Sequence, residues 1–328
     1  MRCVIFRYFR IKFFIFHFSL FTFHFSLFTF HFSPIVQVTI DPNAGFCFGV
    51  GQAIREAEHA LDSGKKIYCL GDIVHNAVEL DRLKAKGLEV IDLRRFSELQ
   101  YATVLIRAHG EPPSTYEIAE KNHLVIIDAT CPIVQKLQQR IQKHYAGKEI
   151  QTQIVIFGKT GHAEVAGLSG QTDDNAIIVS CKADLQQIDF AKPVKLFSQT
   201  TMDREAFGVI SLEIERRMQL EIPGSEPEVF DTICRQVSGR APSLIEFAAE
   251  VDVMIFVSGS KSSNGAYLFE ICRTANADSH RVLDAGDLRT YWFEKAHHVG
   301  VSGATSTPLA QLQEVARRIE EITAYKQV

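Results

Sequence analysis

No two cysteines in this chain form a C-x-x-C pair. The seven, at positions 3, 47, 69, 131, 181, 234 and 272, are odd in number and widely spaced. That excludes a local zinc knuckle or ferredoxin-type loop and argues against a secreted disulfide framework. Any metal held by thiolates must be assembled by the fold from distant segments. An excess of charge is equally lacking. The formal net charge is −4 with 23% of residues charged, so neither nucleic acid nor a membrane surface is indicated as partner. Two phosphate-loop signatures are incomplete. "FGKTG" lacks the upstream glycine of a P-loop, and "GFCFGVG" lacks the G-x-G-x-x-G order of a nicotinamide-binding turn. No Pro/Ser-rich linker divides the chain, so its units pack closely.

Residues 1–35 stand apart. "HFSLFTF" occurs at 17–23 and again at 24–30, and half of the 24 phenylalanines fall in this stretch. A charge-free run from Phe13 to Ile40 has the length of a membrane anchor or signal segment. The repeat and the missing small-residue cleavage site favour translated tandem-repeat DNA upstream of a true start near Val36. His17, His24 and His31 are then products of the repeat and not metal ligands.

From residue 36 the chain alternates short apolar runs with amphipathic stretches. Strands are predicted at 35–40, 66–70, 103–106, 124–127, 154–157, 176–179, 194–197, 251–257 and 298–301. Helices are predicted over 52–62, with Ile54, Ala57 and Leu61 on one stripe, over 132–146, with Ile133, Leu137 and Ile141, and over the tail from Leu309 to Tyr325. This alternation reads as α/β with largely parallel sheets. "IDATC" (127–131) and "FDTIC" (230–234) both place Asp three residues before Cys, and "IDPNAGFC" (40–47) repeats the order with a longer loop. Three strand–loop–Cys units suggest three similar α/β modules, each giving one thiolate to a common centre. The boundaries are 36–131, 132–231 and 232–328, with the N-terminal strand and Cys47 loop able to pack with the third module.

Ligands of open α/β sheets bind beyond the carboxyl ends of the strands, where the polar oddities of this sequence fall. Pro132 suits a first helical position and makes Cys131 the N-cap, where a helix end favours thiolate. The glycines of "AGFCFGVG" let the backbone approach a bulky ligand at Cys47. With Cys234, three thiolates match a cubane iron–sulfur cluster that keeps one iron without a protein ligand. Cys69 and Cys272 read as core, Cys181 lacks the Asp-x-x-Cys context, and Cys3 lies in the leader. His75, His109 and His162 follow strands, as do Ser262, Ser263 and Asn264 with Lys261 adjacent, and Ser302, Thr305, Ser306 and Thr307. Imidazoles and hydroxyls converging in this way read as a diphosphate cradle. Glu164 is the candidate proton donor, and Gln199, Thr200 and Thr201 complete a relay. Two other readings stay open: a zinc-dependent diphosphate hydrolase or transferase on the three cysteines, and an iron–sulfur redox sensor.

The motifs "GFCFGV", "IVHN", "AHG", "DATCP", "GHAEV", "SQTT", "FDTIC", "SSN" and "TSTP" occur in this order between residue 36 and about residue 320. With them the chain resembles the 4-hydroxy-3-methylbut-2-enyl diphosphate reductase family, which acts last in the non-mevalonate isoprenoid pathway. The resemblance implies a trefoil around a 4Fe–4S cluster held by Cys47, Cys131 and Cys234. It implies that His75, His109, His162, Ser262, Ser263, Asn264 and Ser306 bind the diphosphate, that Glu164 supplies protons and that Thr200 orients the substrate. It further implies a cytoplasmic two-electron reductive dehydroxylation fed by a ferredoxin or flavodoxin. One departure is local: "RQVSGRAP" follows Cys234 where the family has a "TQ.RQ"-like helix, which leaves the start of that helix open.

Overall fold

The structure, a computed structural model, describes residues 36–145 and 152–324 of the 328-residue chain. The leader reading of residues 1–35 lies outside the described residues. From β1 (Gln37–Ile40) the chain runs through the Cys47 loop into α1 (Phe48–Asp62). Then come β2 (Ile67–Leu70), α2 (Ala77–Ala85), β3 (Leu88–Ile91), α3 (Leu93–Glu98), β4 (Thr103–Ile106), α4 (Pro113–Lys121), β5 (Val125–Asp128) and α5 (Pro132–Tyr145). A second series comprises β6 (Gln153–Phe157), α6 (Ala163–Ser169), β7 (Ile177–Val179), β8 (Val194–Ser198), α7 (Arg204–Glu221) and β9 (Glu228–Val229). The last comprises α8 (Arg235–Ser238), α9 (Arg240–Ala249), β10 (Val253–Val257), α10 (Ser263–Ala275), β11 (Ser279–Val282), β12 (His298–Gly303) and α11 (Leu309–Ala324).

The strands form three four-stranded sheets, all parallel, in the orders β3-β2-β4-β5, β7-β6-β8-β9 and β11-β10-β12-β1. One pattern repeats three times: the second strand of each series, then the first, the third and a fourth. In the third sheet the fourth place is taken by β1, whose Gln37–Ile40 pair with His298–Val301. This bears out the largely parallel α/β sheets read from the alternation and the trefoil that the family resemblance implied. Between first and third strand the winding direction reverses, and that reversal opens a crevice at the carboxyl ends.

Parallel strands need cover on both faces, hence their continuous apolar runs. In the third sheet Val253, Ile255 and Val257 pack with Leu312, Val315 and Ile319 of α11. Met254 and Phe256, on the opposite face, pack with Leu244, Leu268 and Cys272. Cys69 is likewise fully buried. β3, β9 and β11, which the sequence pattern missed, are all edge strands. Their runs are interrupted by Glu89, Glu228 and the His280–Arg281 pair, which removes the signal an apolar period gives. Ile133, expected on the packed stripe of α5, is 39% exposed, while Val134 is buried in its place.

Phe256 has no exposed surface, and emptying its site leaves a cavity that parallel strands cannot collapse. Phe256→Ala is expected to cost about 3–5 kcal/mol, read as a lowered midpoint in denaturant unfolding followed by circular dichroism.

Candidate functional site: one cavity shared by three sheets

The carboxyl ends of all three sheets open onto a single cavity. Each sheet contributes by the same rule. Loops after the first strands bring His75, His162 with Glu164, and Ser262 with Ser263 and Asn264. Loops after the third strands bring His109, Thr200 with Thr201, and Thr305 with Ser306. Chain leaving the fourth strands brings Cys131, Cys234 and Cys47. Of the site residues expected from the sequence, Gln199, Lys261, Ser302 and Thr307 do not line this cavity and all the others do; Ser302 is turned to Asp41 and Thr307 to the Val257 carbonyl.

Backbone hydrogen bonds tie the fourth-strand loops to the third. The Cys131 N–H donates to the Ala108 carbonyl (3.0 Å), that of Cys234 to Thr200 (2.8 Å) and that of Cys47 to Thr305 (3.1 Å). This register makes His109, Thr201 and Ser306 equivalent positions. Thr201 thus has a place on the cavity wall as well as a bond from Gln199 Nε2 (2.8 Å).

All three cysteines cap helices. Cys47 precedes α1 and Cys234 precedes α8, while the Cys131 carbonyl accepts from the Gln135 N–H at 2.9 Å. Proline marked this only for Cys131. The expected lowering of the Cys131 thiol does not hold. Burial pushes Cys131 and Cys47 up, and the N–H groups at their helix ends offset this only in part. Binding of a metal there releases protons. A Cβ on Gly49 would lie 2.6 Å from Cys131 Sγ, so α1 approaches that sulfur through a residue that must be small.

Among the described residues, the trio of His, Cys, Asp or Glu whose ligand atoms all fall within 4.8 Å of one another is His75, His109 and His162. The three cysteines do not meet that spacing. Three thiols, one from each sheet, line the same cavity, a donor set that suits a thiolate-held group.

The imidazoles are held neutral. Burial depresses His109 far below the ordinary range, and it lowers His75 and brings His162 to about 4. The Arg107 guanidinium adds to all three effects, Lys159 to those on His75 and His162, and Lys261 to that on His75. Fields that keep protons off these rings also oppose a metal ion and favour an anion. His162 Nδ1 accepts from the Glu164 N–H (3.1 Å), which fixes the proton on Nε2 in the neutral ring. His75 Nδ1, His109 Nδ1 and Asn264 Nδ2 are buried without protein partners. The Asn264 side chain is fixed through its oxygen, which accepts from the N–H (3.1 Å) and hydroxyl (3.0 Å) of Thr305. Ser262 caps α10 through the Gly265 N–H (3.0 Å) and meets Ser306 Oγ at 3.4 Å.

Glu164 is almost wholly buried at 1% exposure. Its carboxylate accepts from the Thr200 N–H (2.7 Å) and hydroxyl (2.9 Å). Those bonds favour the charged form, yet burial outweighs them and raises the group to about 7. It can hold or release a proton near neutrality.

The LytB protein family matches residues 38–320. The chain belongs to the LytB family. It is 47% identical over 291 residues to 4-hydroxy-3-methylbut-2-enyl diphosphate reductase of Parabacteroides distasonis, covering 88% of this chain and 99% of that one. The Porphyromonas gingivalis protein of the same name is 48% identical over 291 residues, covering 88% and 100%. The fold superposes on a solved (E)-4-hydroxy-3-methyl-but-2-enyl diphosphate reductase with a TM-score of 0.67 at 34% identity, covering 87% of this chain and 99% of that one. The corresponding reductase structure from Plasmodium falciparum gives a TM-score of 0.73 at 27% identity, covering 87% of each chain.

In this LytB chain, sequence reasoning missed Arg107. It bonds Glu111 at 3.4 Å, and its guanidinium lies against Gly71, whose φ of +74° and bare Cα leave it room. The only cue was its place beside "AHG". The departure after Cys234 resolves as a one-turn α8 followed by α9.

Because the Glu164 carboxyl is raised on folding, the folded LytB chain binds its proton more tightly than the unfolded chain. The stability so gained is complete below the ordinary glutamate range, near pH 4.5, and is lost as pH rises through about 7. Thermal midpoints measured across that window should fall more steeply with pH in the wild type than in Glu164→Gln. Parallel curves would show that Glu164 titrates normally.

Proposed function

We propose that this chain is an iron–sulfur reductase. It converts 4-hydroxy-3-methylbut-2-enyl diphosphate, whose reductases its relatives are named as, to isopentenyl and dimethylallyl diphosphate by two-electron reductive dehydroxylation. The observation that carries the reading is the convergence on one cavity of three thiols, a set of neutral hydrogen-bond donors and a buried carboxyl poised near neutrality. The reductase names of the relatives favour this reading over a zinc hydrolase, and a redox sensor has no use for Glu164 or the donors.

Cys47, Cys131 and Cys234 would hold a 4Fe–4S cluster, which when bound supplies the electrons and a Lewis acid for the allylic hydroxyl. The rest is the work of side chains. His75, His109, His162, Ser262, Ser263, Asn264 and Ser306 bind the diphosphate, with the free His75, His109 and Asn264 nitrogens available to it. His162 donates from Nε2. The reaction takes up two electrons and two protons; one proton leaves with the hydroxyl as water and the other ends on carbon. Glu164 supplies protons at its carboxyl oxygens, and Thr200, bonded to both of them, orients the substrate alcohol. Protonation at either end of the allyl unit gives the two products. Electrons come from a ferredoxin or flavodoxin. The enzyme works in the cytoplasm on a small molecule, without nucleic acid or membrane; among the described residues no helix is long and apolar enough to cross a membrane.

Protein purified without oxygen should be brown and carry iron and sulfide, and with dithionite it should consume the diphosphate. Cys234→Ser should lose both colour and turnover. Glu164→Gln should keep the colour, leave KM nearly unchanged and lower kcat by roughly 10²–10⁴-fold. A colourless protein that carries zinc and resists cluster reconstitution would sink the reading.

A further inference from the structure

We infer that Lys159 is a diphosphate-binding residue at the cavity mouth, its ammonium moving from Ser263 to the outer phosphate when the ligand enters. The inference rests on reading this cavity as a diphosphate site.

Lys159 belongs to the "GKTG" stretch, which the sequence does not support as a P-loop. Its loop, between β6 and α6, is tied down on every side. The Lys159 N–H donates to Gln199 Oε1 (2.9 Å), its carbonyl accepts from the His162 N–H (3.0 Å), and the Thr160 hydroxyl meets Ser180 Oγ at 3.1 Å. Gly161 makes the turn with φ +76°. The side chain is held only at its tip, where Nζ lies 3.4 Å from Ser263 Oγ. That hydroxyl lines the cavity and sits in the first turn of α10. The contact therefore reaches from the second sheet's loop to a helix of the third, across the opening.

A diphosphate ester carries several negative charges, yet the groups proposed to hold it are neutral imidazoles, hydroxyls and an amide. Three cations act on the histidines. Arg107 is bonded to Glu111 at 3.4 Å. Lys261 lines a neighbouring cavity that also holds Asp72 and Asp81. Among the described residues neither lysine has a carboxylate within 4.0 Å, but of the three cations it is Lys159 that touches a hydroxyl of the cavity. A lysine on a flexible stem suits this position, because it delivers a compact charge to phosphate without a fixed bonding plane.

The test uses the full chain with its cluster, inorganic pyrophosphate as probe, and the variants Lys159→Gln and Lys261→Gln. Both side chains are exposed, so neither change threatens the fold. Titration calorimetry should show Lys159→Gln weakening pyrophosphate binding roughly tenfold or more, with KM for the substrate rising in parallel and kcat little changed. Lys261→Gln removes the same charge from outside the mouth and should weaken binding clearly less. Equal losses in the two variants would mean long-range attraction only and would overturn the contact. Unchanged binding in Lys159→Gln would overturn it as well. If the wild type itself fails to bind pyrophosphate, the diphosphate reading of the cavity falls, and this inference with it.

Discussion

Everything in the cavity hangs on the three backbone hydrogen bonds by which Cys131, Cys234 and Cys47 donate to the carbonyls of Ala108, Thr200 and Thr305. Each bolts the chain leaving a fourth strand to the loop leaving a third. The sulfur of each sheet is thereby held in fixed register with a polar residue of the same sheet: His109, Thr201 or Ser306. Because the three sheets share one strand order, the arrangement is produced three times over. What differs between the copies is the side chain, and that difference makes the cavity chemically one-sided. The first sheet gives two imidazoles, the second one imidazole with a carboxyl and hydroxyls, and the third hydroxyls and an amide.

A second constraint is electrical. Burial works against charge on the groups facing the cavity, lowering the imidazoles and raising the Glu164 carboxyl to about 7. Formal charge is placed one step back, on Arg107, Lys159 and Lys261. An anion entering such a space meets oriented donors without displacing tightly held counter-ions, and its desolvation is offset by fields already in place. A carboxylate that stayed ionised at Glu164 would repel the same anion. The burial that raises its proton affinity also reduces that obstacle.

Much of this was legible in the residues, and the gaps have physical causes. The central strands announced themselves because strands covered on both faces must be apolar throughout. β3, β9 and β11 did not, since an edge strand tolerates Glu89, Glu228 or Arg281. Asp-x-x-Cys singled out Cys131 and Cys234, and the parallel with the Cys47 loop completed the set. That all three cap helices was visible only where Pro132 marked the position. Thr201's equivalence to His109 and Ser306 is a matter of hydrogen-bond register, and Arg107 is explained by the room above Gly71. Neither is a property of any short stretch of chain.

The fourth place in the third sheet belongs to β1, the earliest described strand, and its neighbour β12 is the latest. During synthesis the first two sheets can close on their own chain as it emerges, whereas β1 has no partner until nearly the whole protein exists. A nascent chain can therefore set Cys131 and Cys234 in their loops while Cys47 still waits for the Thr305 carbonyl. The order of synthesis makes the three-thiol cavity the last part of the molecule to be completed, so a truncated chain holds two of its thiols in position and lacks the geometry that joins them to the third.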